Sequence, residues 1–187
     1  MEEKAIMKAT GIVRRIDDLG RVVVPKEIRR TLRIREGDPL EIYTDREGGI
    51  VLKKYSPIGE LGEFARQYAE SLAQTTGNVI CITDREQVIA VSGGSKKEML
   101  LKPISEQLEN VIDDRKNVLT TREDKRFVPI VNDDNDFWAQ SISPIICEGD
   151  AIGSVIITTK EPHAKFGETE QKLSMSAAGF LGKQMES

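Results

Sequence analysis

The sequence predicts two folded units, a small β-rich N-terminal unit over residues 1–55 and a larger α+β C-terminal unit over residues 56–187. Short β-prone runs broken by turn residues fill the first part, and longer mixed helix and strand patterns fill the second. The charge also changes sign: the N-terminal unit holds 13 Lys and Arg against 10 Asp and Glu, and the C-terminal unit holds 14 against 21. We therefore expect a polyanion-binding part joined to an acidic part.

The N-terminal unit is predicted to have the order β-β-α-β-β. Its helix starts at Pro25, because proline is tolerated as the first helical residue, and ends before Gly37 and Asp38-Pro39. The predicted strands are 9–16, 21–24, 40–44 and 50–54. A lone unit of this size buries only about 60% of its unfolded surface, so we expect an obligate dimer.

The C-terminal unit is predicted to be a sheet layered against helices. A long helix runs from Ser56-Pro57 to about Thr76, a short helix follows Pro103, and a closing helix spans about Gly167–Met185. The predicted strands are 79–83, 88–92, 126–131, 137–147 and 151–159. Tight turns at Glu148-Gly149-Asp150 and between the first two strands indicate antiparallel pairing.

One face of the long helix carries apolar residues at alternating steps of three and four, the rhythm of a coiled-coil seam. These residues are Ile58, Leu61, Ala65, Tyr68 and Leu72. Two heptads are too few to decide, and a helix packed against its own domain gives the same spacing. Oligomerisation through this helix and packing on the same chain both stay open.

Catalytic and metal chemistry find little support in the sequence. The single histidine, His163, lies in a surface loop, and Cys81 and Cys147 are interpreted as buried core thiols in a reducing cytoplasm. The acidic run 132–136 lacks the spacing of a calcium loop, and Phe137 and Trp138 are expected in the core. We expect no enzyme activity, no metal and no cofactor.

Membrane association finds no support either. No apolar run reaches the length of a membrane helix, and the charged start of the chain is unlike a signal peptide. With 39% hydrophobic and 31% charged residues the chain has the composition of a folded globular protein. A cytoplasmic location is therefore expected.

Arginines punctuate the N-terminal unit. Between Lys8 and Arg35 there are nine basic residues against three acidic ones. A guanidinium group grips phosphate with two parallel hydrogen bonds and reads the edge of guanine, which suits this segment to nucleic acid. A basic face that is merely solvated is the rival interpretation, and within one strand the arginines cannot all point the same way.

The motifs Gly11–Arg15, Leu19-Gly-Arg-Val-Val-Val-Pro25 and Ile28-Arg29-Arg30, followed by Leu40-Glu-Ile42 and Leu52-Lys-Lys-Tyr55, resemble the AbrB-type swapped-hairpin DNA-binding domain. The resemblance implies that two chains interleave their hairpins into one barrel on double-stranded DNA. It implies DNA contacts by Arg14, Arg15, Arg21, Arg29 and Arg30, with Lys8 as a weaker candidate. Arg33 and Arg35 are left as solvated charges.

The remainder of the chain, including the terminal Ala177-Ala-Gly-Phe-Leu181, resembles the GAF-like half of two-domain sporulation regulators. The resemblance implies a transcription regulator, activator or repressor, with a pocket for an unidentified small-molecule effector. It also implies that the terminal helices of this half join dimers into a tetramer. The alternative is an antitoxin-like protein binding DNA and a toxin, which a patterned, foldable second half disfavours.

Overall fold

The computed structural model describes residues 9–56, 58, 62–94, 96–133 and 136–186. Contacts within the chain divide it into two compact units, Met1–Tyr55 and Ser56–Ser187. Among the helices described, none combines the length and apolar character needed to cross a bilayer.

The N-terminal unit contains one short helix and one hairpin. Helix α1 spans Lys26–Thr31, directly after Pro25. Strand β1, Leu40–Thr44, pairs antiparallel with strand β2, Ile50–Lys54. A tight turn joins them: Gly49 N donates to the Asp45 carboxylate at 2.6 Å, and Asp45 N donates to the Gly49 carbonyl at 3.0 Å.

The strands predicted over 9–16 and 21–24 are not formed in this single chain, which corrects the expected order. A strand persists only where a neighbour pairs with its backbone groups, and β1 and β2 pair with each other in a two-stranded sheet. The turn between the two segments does close, because Asp17 N donates to the Arg21 carbonyl at 3.0 Å. The turn of this hairpin is therefore formed, but the segments on either side of it do not pair as strands.

The C-terminal unit is built on a five-stranded antiparallel sheet with the order β4-β3-β7-β6-β5. The strands are β3 Val79–Asp84, β4 Val88–Ser92, β5 Val118–Thr121, β6 Ala139–Cys147 and β7 Asp150–Thr159. Strands β3 and β7 are buried along almost their whole length, as expected for the centre of a sheet covered on both faces.

Helices α2 Gly62–Thr76 and α5 Glu168–Met185 belong to the core on one face, with Ile80, Ile82 and Val155 of the sheet. Helix α5 lies very close to β6: a Cβ on Gly182 would stand 2.1 Å from the Ile146 carbonyl oxygen. Glycine at this position therefore lets the helix backbone rest on the strand.

The opposite face is covered by helix α3 Lys96–Met99, helix α4 Glu106–Asp113 and the segment before β6. Ser105 begins α4, because its hydroxyl oxygen accepts a hydrogen bond from Leu108 N at 3.0 Å. Leu108 and Ile112 of this helix are fully buried. The expected placement of helices around a sheet is confirmed.

The strand predicted over 126–131 is wrong, and β5 was not expected. Val128, Ile130 and Val131 are buried, but they belong to a loop in which the β contact is an isolated bridge between Val131 and Ile104. Pro129 interrupts the run and has no N–H to donate to a neighbouring strand. The sheet edge is instead Val118–Thr121, which pairs with β6.

Two further expectations need adjustment. Cys81 is fully buried as predicted, whereas Cys147 is only half-buried at the end of β6. Helix α2 ends at Thr76 as predicted, but its predicted start falls partly on residues 57 and 59–61, which lie outside the described residues.

Candidate nucleic-acid interface

Asp17 organises the turn that carries the first arginines. One carboxylate oxygen accepts Leu19 N at 3.0 Å and Arg21 N at 2.7 Å, and the other accepts Arg21 Nε at 2.9 Å. The Arg21 backbone N–H is the main reason that the Asp17 pKa lies below its ordinary value. The Arg21 side chain is 69% exposed, so its guanidinium group faces solvent while its Nε and its backbone N–H stay hydrogen-bonded to Asp17.

Arg14 and Arg15 precede this turn and are exposed. Arg14 Nη1 donates to the carbonyl of its neighbour Val13 at 3.2 Å. Because the Asp17–Arg21 backbone bond brings the two segments side by side at the turn, Arg15 and Arg21 flank one tip. The structure therefore brings three of the predicted DNA contacts to the same hairpin end.

Arg29 and Arg30 lie in the last turn of α1, where the negative end of the helix dipole favours cations. Arg30 is exposed and Arg29 is half-buried. The Nε atom of Arg29 is buried and has no hydrogen-bond partner among the residues that the structure describes. A buried donor of this kind costs free energy unless an acceptor from elsewhere satisfies it. Lys8, the sixth candidate, lies outside the described residues.

Many apolar side chains of the N-terminal unit are exposed. Val13 is 84% exposed, Val23 69% and Ile50 70%. The same holds for Ile16, Leu19 and Ile42. So much exposed apolar surface on a small unit marks an association surface.

Three aromatic side chains of the C-terminal unit contact one another where α2 and α5 meet. The rings of Phe64, Tyr68 and Phe180 stack at centroid distances of 5.4 to 6.4 Å. Phe180 is 41% exposed, and Phe64 and Tyr68 are half-buried. Partial burial raises the pKa of Tyr68. We call these three residues the aromatic cluster.

The predicted coiled-coil residues divide between two environments. Ile58 and Ala65 are fully buried in the core of their own unit, which matches the alternative of a helix packed on its own domain. Tyr68 and Leu72 are only partly buried and pack against the edge of that core. Leu61 lies outside the described residues. The oligomerisation role of this set stays a prediction, and its exposed part is Tyr68 with Leu72.

Other residues considered from the sequence have structural surroundings. Phe137 is buried as predicted, and Trp138 contacts His163 edge-on at a centroid distance of 4.8 Å. Within the part of the chain that the structure describes, no group of three or more His, Cys, Asp or Glu is placed to hold a metal ion.

The arginine-rich unit and the antiparallel sheet with flanking helices define a two-domain protein that joins an AbrB-type unit to a GAF domain. The GAF domain of Thermosynechococcus elongatus PixJ superposes with a TM-score of 0.57 at 12% identity, covering 71% of this chain and 89% of that one. The family of the stage V sporulation protein T C-terminal, transcription factor, matches residues 60–186. This chain belongs to that family of transcription factors.

Sequence relatives agree with this placement. Stage V sporulation protein T of Bacillus subtilis (strain 168) is 57% identical over 181 residues, which cover 96% of this chain and 99% of that protein. The transition state regulatory protein AbrB of the same organism is 41% identical over 109 residues, covering 56% of this chain and 97% of AbrB. Residues 13–60 also match the family described as antidote-toxin recognition MazE, bacterial antitoxin.

Sequence reasoning missed Asp17, Phe64 and Phe180. The sequence indicates a turn over Asp17–Gly20, because Asp and Gly are common turn residues, but it gives the Asp17 carboxylate no role in holding Arg21. Phe64 and Phe180 lie on different helices, and the sequence contains no signal that they meet. The turn was predictable from local residue types, and the aromatic contacts required the fold.

Proposed function

We propose that this chain regulates transcription of sporulation genes by binding double-stranded DNA as a dimer of its N-terminal unit. The proposal rests above all on the 57% identity to stage V sporulation protein T over nearly the whole chain. The contacts we propose are made by Arg14, Arg15, Arg21, Arg29 and Arg30, with Lys8 as an additional candidate. A domain boundary between Tyr55 and Ser56 is part of the same proposal.

The chemistry of the N-terminal unit supports this. Two copies of five arginines supply about ten cations, and neutralising six to ten phosphates lowers affinity by roughly 10³–10⁵ between 50 and 200 mM salt. The exposed apolar residues supply the surface through which the second chain completes the unit.

Replacing Arg29 or Arg30 with alanine tests the DNA contacts. Each change should weaken specific binding by about 1–3 kcal/mol, which is roughly 5- to 150-fold. Fluorescence anisotropy with a labelled operator fragment measures this, and a salt titration should show a shallower slope. Arg33→Ala is the matched control, because Arg33 is exposed just after the same helix and lies outside the proposed set. Equal losses for Arg33→Ala and Arg29→Ala would contradict the assignment.

We also propose that the C-terminal unit joins two such dimers into a tetramer through the aromatic cluster together with Leu72. Exposed aromatic rings are common anchors of protein interfaces. Phe180→Asp should convert the tetramer to a dimer, measured by light scattering after gel filtration. Met175→Asp on the same helix, 46% exposed, is the control. A tetramer that survives Phe180→Asp would remove the cluster from the interface.

The proposed regulator acts in the cytoplasm by binding rather than by catalysis, and a small molecule bound to the C-terminal unit modulates it. The GAF fold of this unit supports a sensing role, since the fold encloses ligands between sheet and helices in other proteins. A thermal-shift screen of metabolites on the full chain tests the effector. An authentic ligand raises the unfolding temperature in proportion to the logarithm of its concentration.

The antitoxin-like alternative is favoured by one observation, the match of residues 13–60 to the MazE antitoxin family. The folded sheet and helices after residue 62 are unlike the acidic tail with which such antitoxins are expected to bind a toxin. Limited proteolysis separates the two proposals. A protease-resistant C-terminal half agrees with the regulator, and rapid degradation of that half agrees with the antitoxin.

A further inference from the structure

We propose that a cleft at one end of the C-terminal sheet binds a small zwitterion, a free α-amino acid with an apolar side chain. The inference deepens the proposed effector function by giving it a site and a ligand class. The cleft lies where β3 begins at Val79 and β7 ends at Thr159, and α3 forms one side. Its volume is about 320 Å³.

The floor of the cleft is apolar. Val79, Met99 and Phe137 line it, and all three belong to the core on this face of the sheet. Their burial holds them in place: Met99 lies with its sulfur 4.0 Å from the sulfur of Cys81, deeper in the same core. A short aliphatic side chain can therefore rest on a fixed apolar surface.

The mouth of the cleft carries both signs of charge. Lys160 Nζ stands 3.6 Å from the Glu98 carboxylate and 5.7 Å from the centroid of the Phe137 ring, and Glu161 adds a second carboxylate. The Lys160 side chain is 48% exposed and that of Glu98 57%. An ion pair this exposed contributes little to stability, so a ligand can replace it at small cost.

This arrangement selects for a ligand with two opposite charges. An ammonium group of the ligand pairs with Glu98 and Glu161, and its carboxylate pairs with Lys160. A ligand with only a carboxylate would place it near the carboxylates of Glu98 and Glu161, which repel it. A ligand with only an ammonium group would leave the Lys160 ammonium group without a negatively charged partner. The volume is at the lower end of the range for small-molecule sites, roughly 300–1,000 Å³, which favours an amino acid over a nucleotide.

The position of the cleft also connects it to the aromatic cluster. Gly77, which lines the cleft, directly follows the end of α2, and the same helix carries Phe64 and Tyr68. A ligand held between Gly77 and Lys160 would restrain the end of the helix that contributes to the aromatic cluster. The cleft is therefore placed where an effector can bias assembly.

The test uses isothermal titration calorimetry on the full chain with L-valine as the probe. Two analogues remove one charge each: 3-methyl-2-oxobutanoate lacks the ammonium group, and 2-methylpropylamine lacks the carboxylate. We expect saturable binding of L-valine and an affinity at least about tenfold weaker for both analogues. Glu98→Gln and Lys160→Met should each weaken L-valine binding by a similar factor. Lys172→Met is the matched control, since Lys172 forms an exposed ion pair with Glu168 on α5, on the other face of the sheet.

Each outcome decides the matter. Absence of heat up to about 10 mM L-valine, an affinity for either analogue equal to that for L-valine, or wild-type affinity in Glu98→Gln and Lys160→Met would overturn the inference. Lys160→Gln serves as a second variant if Lys160→Met lowers the unfolding temperature. DNA affinity is measured on the same preparation. If the protein binds DNA but does not bind L-valine, this inference alone is overturned. If the protein binds L-valine but does not bind DNA, the inference is supported and the proposed DNA-binding function is rejected.

Discussion

The two units of this chain differ in how much of their own core they supply. Between residues 9 and 55 only Pro25 is buried, whereas the C-terminal unit has a hydrophobic core on each face of its sheet. Both units contain strands, turns and helices, but two of the four strands predicted for the N-terminal unit are not formed in one chain. Local sequence pattern indicates helices and strands in both units. Only in the C-terminal unit, however, do the elements of one chain bury one another's apolar side chains.

This difference has an energetic consequence for the N-terminal unit. Full burial of a Val, Leu or Ile side chain stabilises by about 1.5–3 kcal/mol, and at least six such side chains are exposed in one copy. Association with a second chain therefore supplies the stabilisation that the C-terminal unit obtains internally. Folding and dimerisation of the N-terminal unit are expected to be one event, with an apparent stability that depends on protein concentration.

The largest predicted effect breaks this association. Val23→Asp places a carboxylate in the surface that the second chain should cover, at a cost of several kcal/mol, so DNA affinity should fall at least about a hundredfold. Sedimentation velocity should show a smaller assembly. Leu101→Asp is the control in the other unit, because Leu101 is 65% exposed and Val23 is 69% exposed. Indistinguishable behaviour of the two variants would mean that the N-terminal unit needs no partner.

The second prediction concerns the C-terminal unit, which contains a hydrophobic core of its own. Leu108 of α4 is fully buried, and Leu108→Ala should lower the free energy of unfolding of the C-terminal unit by about 2–5 kcal/mol. Urea denaturation followed by Trp138 fluorescence measures it, since the only tryptophan lies in this unit. Leu101→Ala should change the same quantity by no more than about 0.5 kcal/mol. An equal loss in Leu108→Ala and Leu101→Ala would contradict the assignment of Leu108 to the core.

A smaller effect is expected at the arginine-bearing turn. Asp17→Asn removes the charge that tethers Arg21, and DNA affinity should fall roughly two- to tenfold. Asp18→Asn is the control, because the Asp18 carboxylate takes no part in the hydrogen bonds from Leu19 and Arg21 that close the turn. Comparable losses from both variants would assign the effect to net charge alone.

The same turn predicts a pH dependence. The Asp17 pKa is lowered in the folded chain, mainly by the hydrogen bond from Arg21 N, so its stabilising contribution is present above the unfolded pKa. That contribution is lost as the pH falls through the lowered folded value. The free energy of unfolding of wild type and of Asp17→Asn should therefore become equal in acid, below the ordinary carboxyl range. At neutral pH the difference between these two free energies should stay constant. A difference that grows in acid would have the wrong sign.

The sequence predicted most of the C-terminal unit because its periodicity matches its burial. Strands β3, β4, β6 and β7 and helices α4 and α5 lie within a few residues of their predicted bounds. It failed over 126–131, where the buried residues form no strand beyond an isolated bridge from Val131 to Ile104, and Pro129 was the signal overlooked. In the N-terminal unit the two strands before Pro25 have no partner within the chain, and no pattern in one copy reveals that. The arginines were identified from the sequence, whereas the aromatic cluster required the packing of two distant helices.

The smallest predicted effect tests the boundary between the N-terminal and C-terminal units, which is proposed to lie between Tyr55 and Ser56. The Ser56 hydroxyl donates to the Asp84 carboxylate at 3.0 Å, and the same carboxylate accepts Glu86 N and Gln87 N at 2.7 Å each. Asp84 is almost fully buried and keeps its two backbone bonds in Ser56→Ala, so the loss should be about 1 kcal/mol or less. It should appear in the unfolding of the C-terminal unit and leave DNA affinity unchanged. If Ser56→Ala lowers DNA affinity instead, Ser56 belongs to the N-terminal unit, because a residue that stabilises that unit also affects its affinity for DNA.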